Sequence, residues 1–200
     1  MIIKKIFSLV TSIMSLFILI LFFYSNSNSD ENNIKHYSGD EGILAIMYHR
    51  FNESSYPSTN IQMDIFKNQI EIIKSSNYVF SDPSKFIKNF HIPKKNKEIL
   101  ITIDDGFESF YIEAWPYLKK NKIPFILFVS TEPVGKKGYM TWKQIREIES
   151  ENFAFIGHHS HTHNYLVDTT HDLFIKDIEQ ANKIFLKELG HIPNLFSYPF

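Results

Sequence analysis

Two stretches of this chain carry residue types that have no ordinary packing role. One is ILITIDDGF, residues 99–107, in which an isoleucine-rich run ends in two adjacent carboxylates, Asp104 and Asp105, followed by Gly106. Paired carboxylates at the end of an apolar strand are costly unless a cation, a proton or several donors compensate them. Gly106 lets the backbone turn sharply, so both side chains can face one point. The other stretch is HHSHTH, residues 158–163, which holds four of the nine histidines. Neutral imidazole is the commonest biological metal ligand and needs no thiolate partner. His159 and His163 are four apart and would share one face of a helical turn; an extended segment would instead align His159, His161 and His163. The spacing supplies two histidine ligands without choosing among the three. Joined by one aspartate, they make a two-histidine, one-carboxylate site with coordination positions left open for a water. The second aspartate can accept that water's proton. The chemistry expected is metal-assisted hydrolysis of a carbonyl compound.

A plain Asp-Gly surface turn competes with this reading. The order of elements weighs against it. ILAIMY, residues 43–48, reads as a buried strand ending at His49, and residues 60–75 have apolar positions at helical spacing. Residues 78–80 read as a short strand, and Asp82-Pro83 opens a short helical stretch through Phe90. After the central strand, residues 108–120 read as a helix in which Pro116 implies a kink or a late start. Residues 125–129 and 153–157 read as further strands; Thr141 is a good N-cap for a helix over 142–149. A long helix starts at Thr170 or Asp172 and runs to Leu189, with Gly190 as its stop, and residues 195–198 begin another strand. Strands alternating with such crossovers predict an α/β fold with parallel pairing. His49, the two aspartates, the histidine run and Pro199 then all follow strands, at the carboxyl ends where parallel α/β folds gather functional groups.

A chain of 200 residues suffices for one domain with a real core. Its 21 basic and 22 acidic residues nearly cancel, which argues against nucleic acid as a partner, and with no cysteine it has neither disulfides nor thiolate metal sites. Lys4 and Lys5 precede an apolar run from Ile6 to Tyr24, then a polar Asn- and Ser-rich stretch. This predicts a membrane anchor, or a cleaved signal segment, over residues 1–24 and a flexible linker over 25–41. The positive-inside rule puts the domain over 42–200 outside the cytoplasm, at the cell membrane or, after cleavage, secreted or periplasmic.

TIDDGF at 102–107 and HSHTH at 159–163 resemble the first two motifs of the polysaccharide deacetylase family, also called the NodB-homology family or carbohydrate esterase family 4. YMTW at 139–142 is similar to a segment between those motifs, and FSYPF at 196–200 looks like the start of the third. MYHR at 47–50 is similar to the opening of the branch that deacetylates poly-N-acetylglucosamine. The resemblance implies a distorted (β/α) barrel and removal of acetyl groups from an N-acetylglucosamine polymer, with zinc as the usual metal. It implies Asp104 as general base, Asp105, His159 and His163 as metal ligands, and the backbone amide of Phe200 as an oxyanion donor. His49, His161, Tyr198 and Pro199 would line the substrate groove, with His158 nearby. Many members open the third motif with an arginine where this chain has Ser197. The family's later strands and its acid histidine are expected beyond Phe200, so the barrel is expected to be incomplete in this sequence. Two other readings are a non-catalytic glycan-binding or assembly module and an O-acetyl esterase of the same family.

Overall fold

The computed structural model describes residues 43–85 and 97–200. The expected anchor, the linker and the helical stretch toward Phe90 lie wholly or largely outside these residues. The chain opens with β1 (Ile43–Tyr48) and a small pair of parallel strands, β2 (Arg50–Phe51) and β3 (Asn60–Ile61). Helix α1 (Met63–Ser75) follows; it buries Met63, Phe66, Ile70 and Ile73, one stripe at helical spacing. Next come β4 (Tyr78–Phe80) and the central strand β5 (Lys97–Ile103), whose last five residues are all buried. A strand covered on both faces has no polar alternation, which is why ILITI reads as a continuous apolar run.

The segment after β5 departs from the single helix expected. A π-helical turn, Phe110–Ala114, leads into α2 (Trp115–Asn121), with Pro116 in its first turn. Proline lacks the amide hydrogen that an inner turn needs, so the regular α-helix starts late, at the place where the missing donor has no intrahelical partner anyway. Lys122, in left-handed conformation, ends α2 and turns the chain into β6 (Phe125–Val129), buried throughout. Helix α3 (Trp142–Glu149) starts at a reciprocal capping box between Thr141 and Gln144. It is followed by β7 (Ala154–His158) and, after a loop and a short 3-10 turn, by α4 (His171–Leu189). Thr170 caps α4, and Gly190 ends it in the left-handed region.

The strands pair in parallel, in the order β1-β5-β6-β7, with β4 on the first residues of β5. This is the α/β architecture expected. Residues 195–198 form only an isolated bridge, Phe196 to His158, rather than the strand anticipated, because pairing on that side is limited to His158 and its two bonds to Leu195 and Ser197. One core, built on Phe66, Phe110, Trp115, Phe125 and Phe185, packs the helices against the sheet. A smaller group, Leu100, Ile126 and Phe128, forms a second buried cluster. The ends of β1, β5, β6 and β7 thus come into register side by side, and the polar residues that follow them converge.

Candidate active site

Asp104 ends β5, with its amide donating to the Tyr48 carbonyl at 2.9 Å. Asp105 and Gly106 both take positive φ, +74° and +79°. This double left-handed turn swings the two carboxylates to one side instead of alternating them across the pleat. A loop from β6 to α3 closes over the turn, the Met140 amide donating to the Gly106 carbonyl and the Glu108 amide to the Gly138 carbonyl. A left-handed aspartate costs of order 1 kcal/mol or more and persists where surrounding contacts over-determine it.

The histidines arrive from β7. The 159–163 segment is neither helical nor extended. Ser160 and His163 are left-handed, so the chain coils and brings His159 and His163 together while His161 turns away. The His161 ring instead meets the Thr131 hydroxyl at 2.8 Å. The backbone geometry, which residue spacing does not contain, groups His159 with His163 and leaves His161 apart. The loop is stitched to the end of β6: the Thr131 and Glu132 amides donate to the carbonyls of Ser160 and His161, and the Ser130 hydroxyl donates to the carbonyl of His159.

Asp105, His159 and His163 form one cluster, each offering a ligand atom within 4.8 Å of the others. Asp105 Oδ1 lies 2.8 Å from His163 Nε2 and 3.3 Å from His159 Nε2. His159 Nδ1 lies 2.8 Å from the Ser197 carbonyl. A carbonyl only accepts, so Nδ1 carries a hydrogen and Nε2 is the ring nitrogen that faces Asp105. Asp105 Oδ1 is buried, with the two imidazole nitrogens as its polar neighbours. Two imidazole nitrogens and one buried carboxylate oxygen converging on one point are the donor set a divalent cation requires, and the residues present fit one. Burial would raise the Asp105 pKa, but the two imidazoles outweigh it and hold the carboxyl well below the usual range. The same bond raises His163.

Asp104 stands in a different environment. It is 3% exposed, 3.9 Å from His159 Nε2, and accepts a 3.3 Å bond from the Ser197 hydroxyl. Burial pushes its pKa up, against the opposing pull of His159 and His49. The two neighbouring carboxylates are thus pushed in opposite directions, Asp105 down and Asp104 up.

The other expected residues are distributed around this pair. His49 is half-buried and stands close enough to Asp104 to oppose the effect of its burial. The Phe200 ring packs on His163 at 5.0 Å and on Tyr165 at 5.7 Å. Tyr198 is exposed and stacks edge-on against Phe196, and Pro199 is buried. A cleft of about 290 Å³ opens beside Asp105 and His163, walled by Phe107, Tyr139, Pro133 and Thr162. Behind that wall the Arg50 guanidinium lies between Phe107 and Tyr56, 3.4 and 3.9 Å from the ring centroids. Sequence reasoning passes over Ser130, Thr131 and Asp177, and meets Arg50 only as the last residue of MYHR. Ser130 and Thr131 directly follow β6, so the strand-end rule finds them; nothing in the pattern around Asp177 marks it.

Comparison with known proteins bears on this arrangement. The polysaccharide deacetylase family model matches residues 91–200, more than half of the chain. A Staphylococcus aureus protein, poly-beta-1,6-N-acetyl-D-glucosamine N-deacetylase (strain N315), is 25% identical over 205 residues, covering 87% of this chain and 70% of that protein. Among solved structures, IcaB from Ammonifex degensii matches with a TM-score of 0.72 at 29% identity, over 81% of this chain and 75% of that one. The Streptococcus pyogenes deacetylase PplD, in complex with acetate, matches at 0.68 and 25% identity, over 78% and 73%. A family match over more than half of the chain, with relatives and solved structures of the same kind, shows that the chain is a hydrolase of the polysaccharide deacetylase family.

Proposed function

We propose that this chain is a metal-dependent N-deacetylase acting on an N-acetylglucosamine polymer outside the cytoplasm. The observation that carries the reading is the convergence of the buried Asp105 Oδ1 with two imidazole nitrogens, and a second, more basic carboxylate beside it. Asp105, His159 and His163 would hold the metal; zinc is favoured, although this donor set also suits cobalt, nickel or iron. When bound, a divalent cation supplies Lewis-acid polarisation of the acetyl carbonyl and acidifies water.

The chain's own residues account for the rest. Asp104 takes the proton of the attacking water, whose oxygen bonds to the acetyl carbon. The Phe200 amide donates to the oxyanion that forms there. The carbon–nitrogen bond then breaks, acetate leaves, and the proton taken up by Asp104 is balanced by the one gained by the freed amine. Ser197 keeps the base and the ligand aligned, its hydroxyl on Asp104 and its carbonyl on His159. The open cleft beside His163, with the Phe107 and Tyr139 rings on its wall, suits a sugar ring with a flat apolar face.

The names of the relatives support the substrate class, and the basic-then-apolar segment at 1–24 supports the location and a membrane partner. Acetate release from an N-acetylglucosamine oligomer, set against acetylated xylan, tests the chemistry. Release from the oligomer after metal loading is expected; release only from the xylan would make the chain an O-acetyl esterase. Binding of the oligomer without release would make it a glycan-binding module. Protease treatment of intact cells of the source organism tests the location: digestion of the domain is expected, and full protection would refute an extracytoplasmic site.

A further inference from the structure

The coil that brings His159 and His163 together is gripped from outside by a residue of another element. Asp177 stands near the end of the second turn of α4, half-buried. Its Oδ2 accepts from the His161 amide at 2.7 Å; its Oδ1 accepts from the Thr162 amide at 3.0 Å and from the Thr162 hydroxyl at 2.6 Å. His161 and Thr162 are the two residues immediately before His163, and they are flanked by the left-handed Ser160 and His163. The other ties on the backbone of this coil, among the described residues, come from neutral groups. The Ser160 hydroxyl accepts from the His163 amide at 3.1 Å, and the segment after β6 bonds to the Ser160 and His161 carbonyls. Asp177 supplies three charge-assisted bonds, to the backbone and hydroxyl of two consecutive residues. A carboxylate bound to two successive backbone amides fixes their orientation, and with it the direction in which the next side chain leaves the chain. That next side chain is His163, 2.8 Å from Asp105.

We propose that Asp177 is a positioning residue of the metal site, setting the approach of His163 to Asp105 and thereby the affinity for the cation. The inference rests on the metal reading above and extends it to a residue that touches neither metal nor substrate. A helix-surface aspartate with a purely local role would influence the melting of α4 and leave the coordination sphere alone. Here the carboxylate faces the ligand loop, so its loss should be read at the metal.

The test uses the full 200-residue chain loaded with Co²⁺, whose visible absorption reports its coordination geometry. Affinity is measured by competition with a chelator for the parent, Asp177→Ala, Asp177→Asn and the exposed neighbour Lys176→Ala. Partners of this kind are worth about 10–100-fold in metal affinity. D177A should lose that much, with altered Co²⁺ bands; D177N, which keeps one acceptor oxygen, should fall between; K176A should match the parent. Parent-like affinity and bands in D177A overturn the assignment. If metal-free D177A does not melt cooperatively, D177N decides by the same criterion. A parent chain that takes up no Co²⁺ refutes the metal reading itself, an outcome distinct from a parent that binds and a D177A that binds equally.

Discussion

Gly157→Ala tests how the strand before the histidines is packed, because two principles predict opposite signs for it. Gly157 lies within β7, where replacing glycine by alanine normally stabilises by about 0.5–1 kcal/mol through lost freedom of the unfolded chain. The structure predicts the reverse. Gly157 is in register with Phe128 on β6, and the ring lies over it. A Cβ at 157 would fall 2.3 Å from Phe128 Cδ1, 2.4 Å from Cε1 and 3.0 Å from Ile126 Cγ2. Carbon atoms rest at about 3.5–4.0 Å, so the ring must retreat by roughly 1 Å or more. It has little room: Phe128 is buried with Leu100 and Ile126, and its other neighbour is the His159 ring, 6.4 Å away between centroids. Overpacking of this kind costs about 1–3 kcal/mol, or roughly 2–12 °C in Tm at this chain length. Urea unfolding of G157A, F128A and the double variant isolates the clash. In the F128A background the alanine should be neutral or stabilising, giving a coupling of about 1–3 kcal/mol. If G157A costs the same with and without the Phe128 ring, the packing argument fails.

Three further predictions concern the surroundings of the site. Burial pushes the Tyr48 hydroxyl from 10.0 up to about 12, so the folded state keeps its proton when the unfolded state has lost it. That contribution is fully present below pH 10 and is lost as pH rises toward 12, at most about 2–3 kcal/mol. Alkaline unfolding of Tyr48→Phe should lack this slope, and an unchanged profile would refute it. Arg50, 13% exposed and held between two rings, also pairs with Glu53 at 2.8 Å. Arg50→Lys forfeits the planar stacking, so it should cost about 2 kcal/mol in urea unfolding and raise KM for the oligomer through the Phe107 wall; parent-like values in both contradict it. Thr141→Ala breaks the α3 capping box and should cost about 1 kcal/mol, roughly 2–4 °C in Tm by calorimetry, with an unchanged melt counting against it.

The main strands of the sheet were legible as short apolar runs bounded by their own stop signals, and two helices announced their starts, one at Thr141 and one at Thr170 or Asp172. The π-helical turn ahead of Trp115 was not, since a proline marks where a helix cannot run and says nothing of what replaces it. Nor was the β2–β3 pair, whose two-residue strands fall below any periodicity. At the site, residue types sufficed for the aspartate pair and the histidine run. The separation of His161 from its neighbours was invisible because it depends on left-handed conformations at Ser160 and His163. Asp177 was invisible for a related reason: its partners are backbone amides, which leave no mark on residue identity.

The central claim divides two adjacent carboxylates between metal binding and proton transfer. The most direct measurement is metal content and acetate release, taken together, on Asp105→Asn and Asp104→Asn. Asp105→Asn should lose tightly bound metal and activity together, while Asp104→Asn should retain the metal and lose acetate release by about 10²–10⁴-fold. Undiminished acetate release in both variants, or metal lost from Asp104→Asn and kept by Asp105→Asn, would contradict the account.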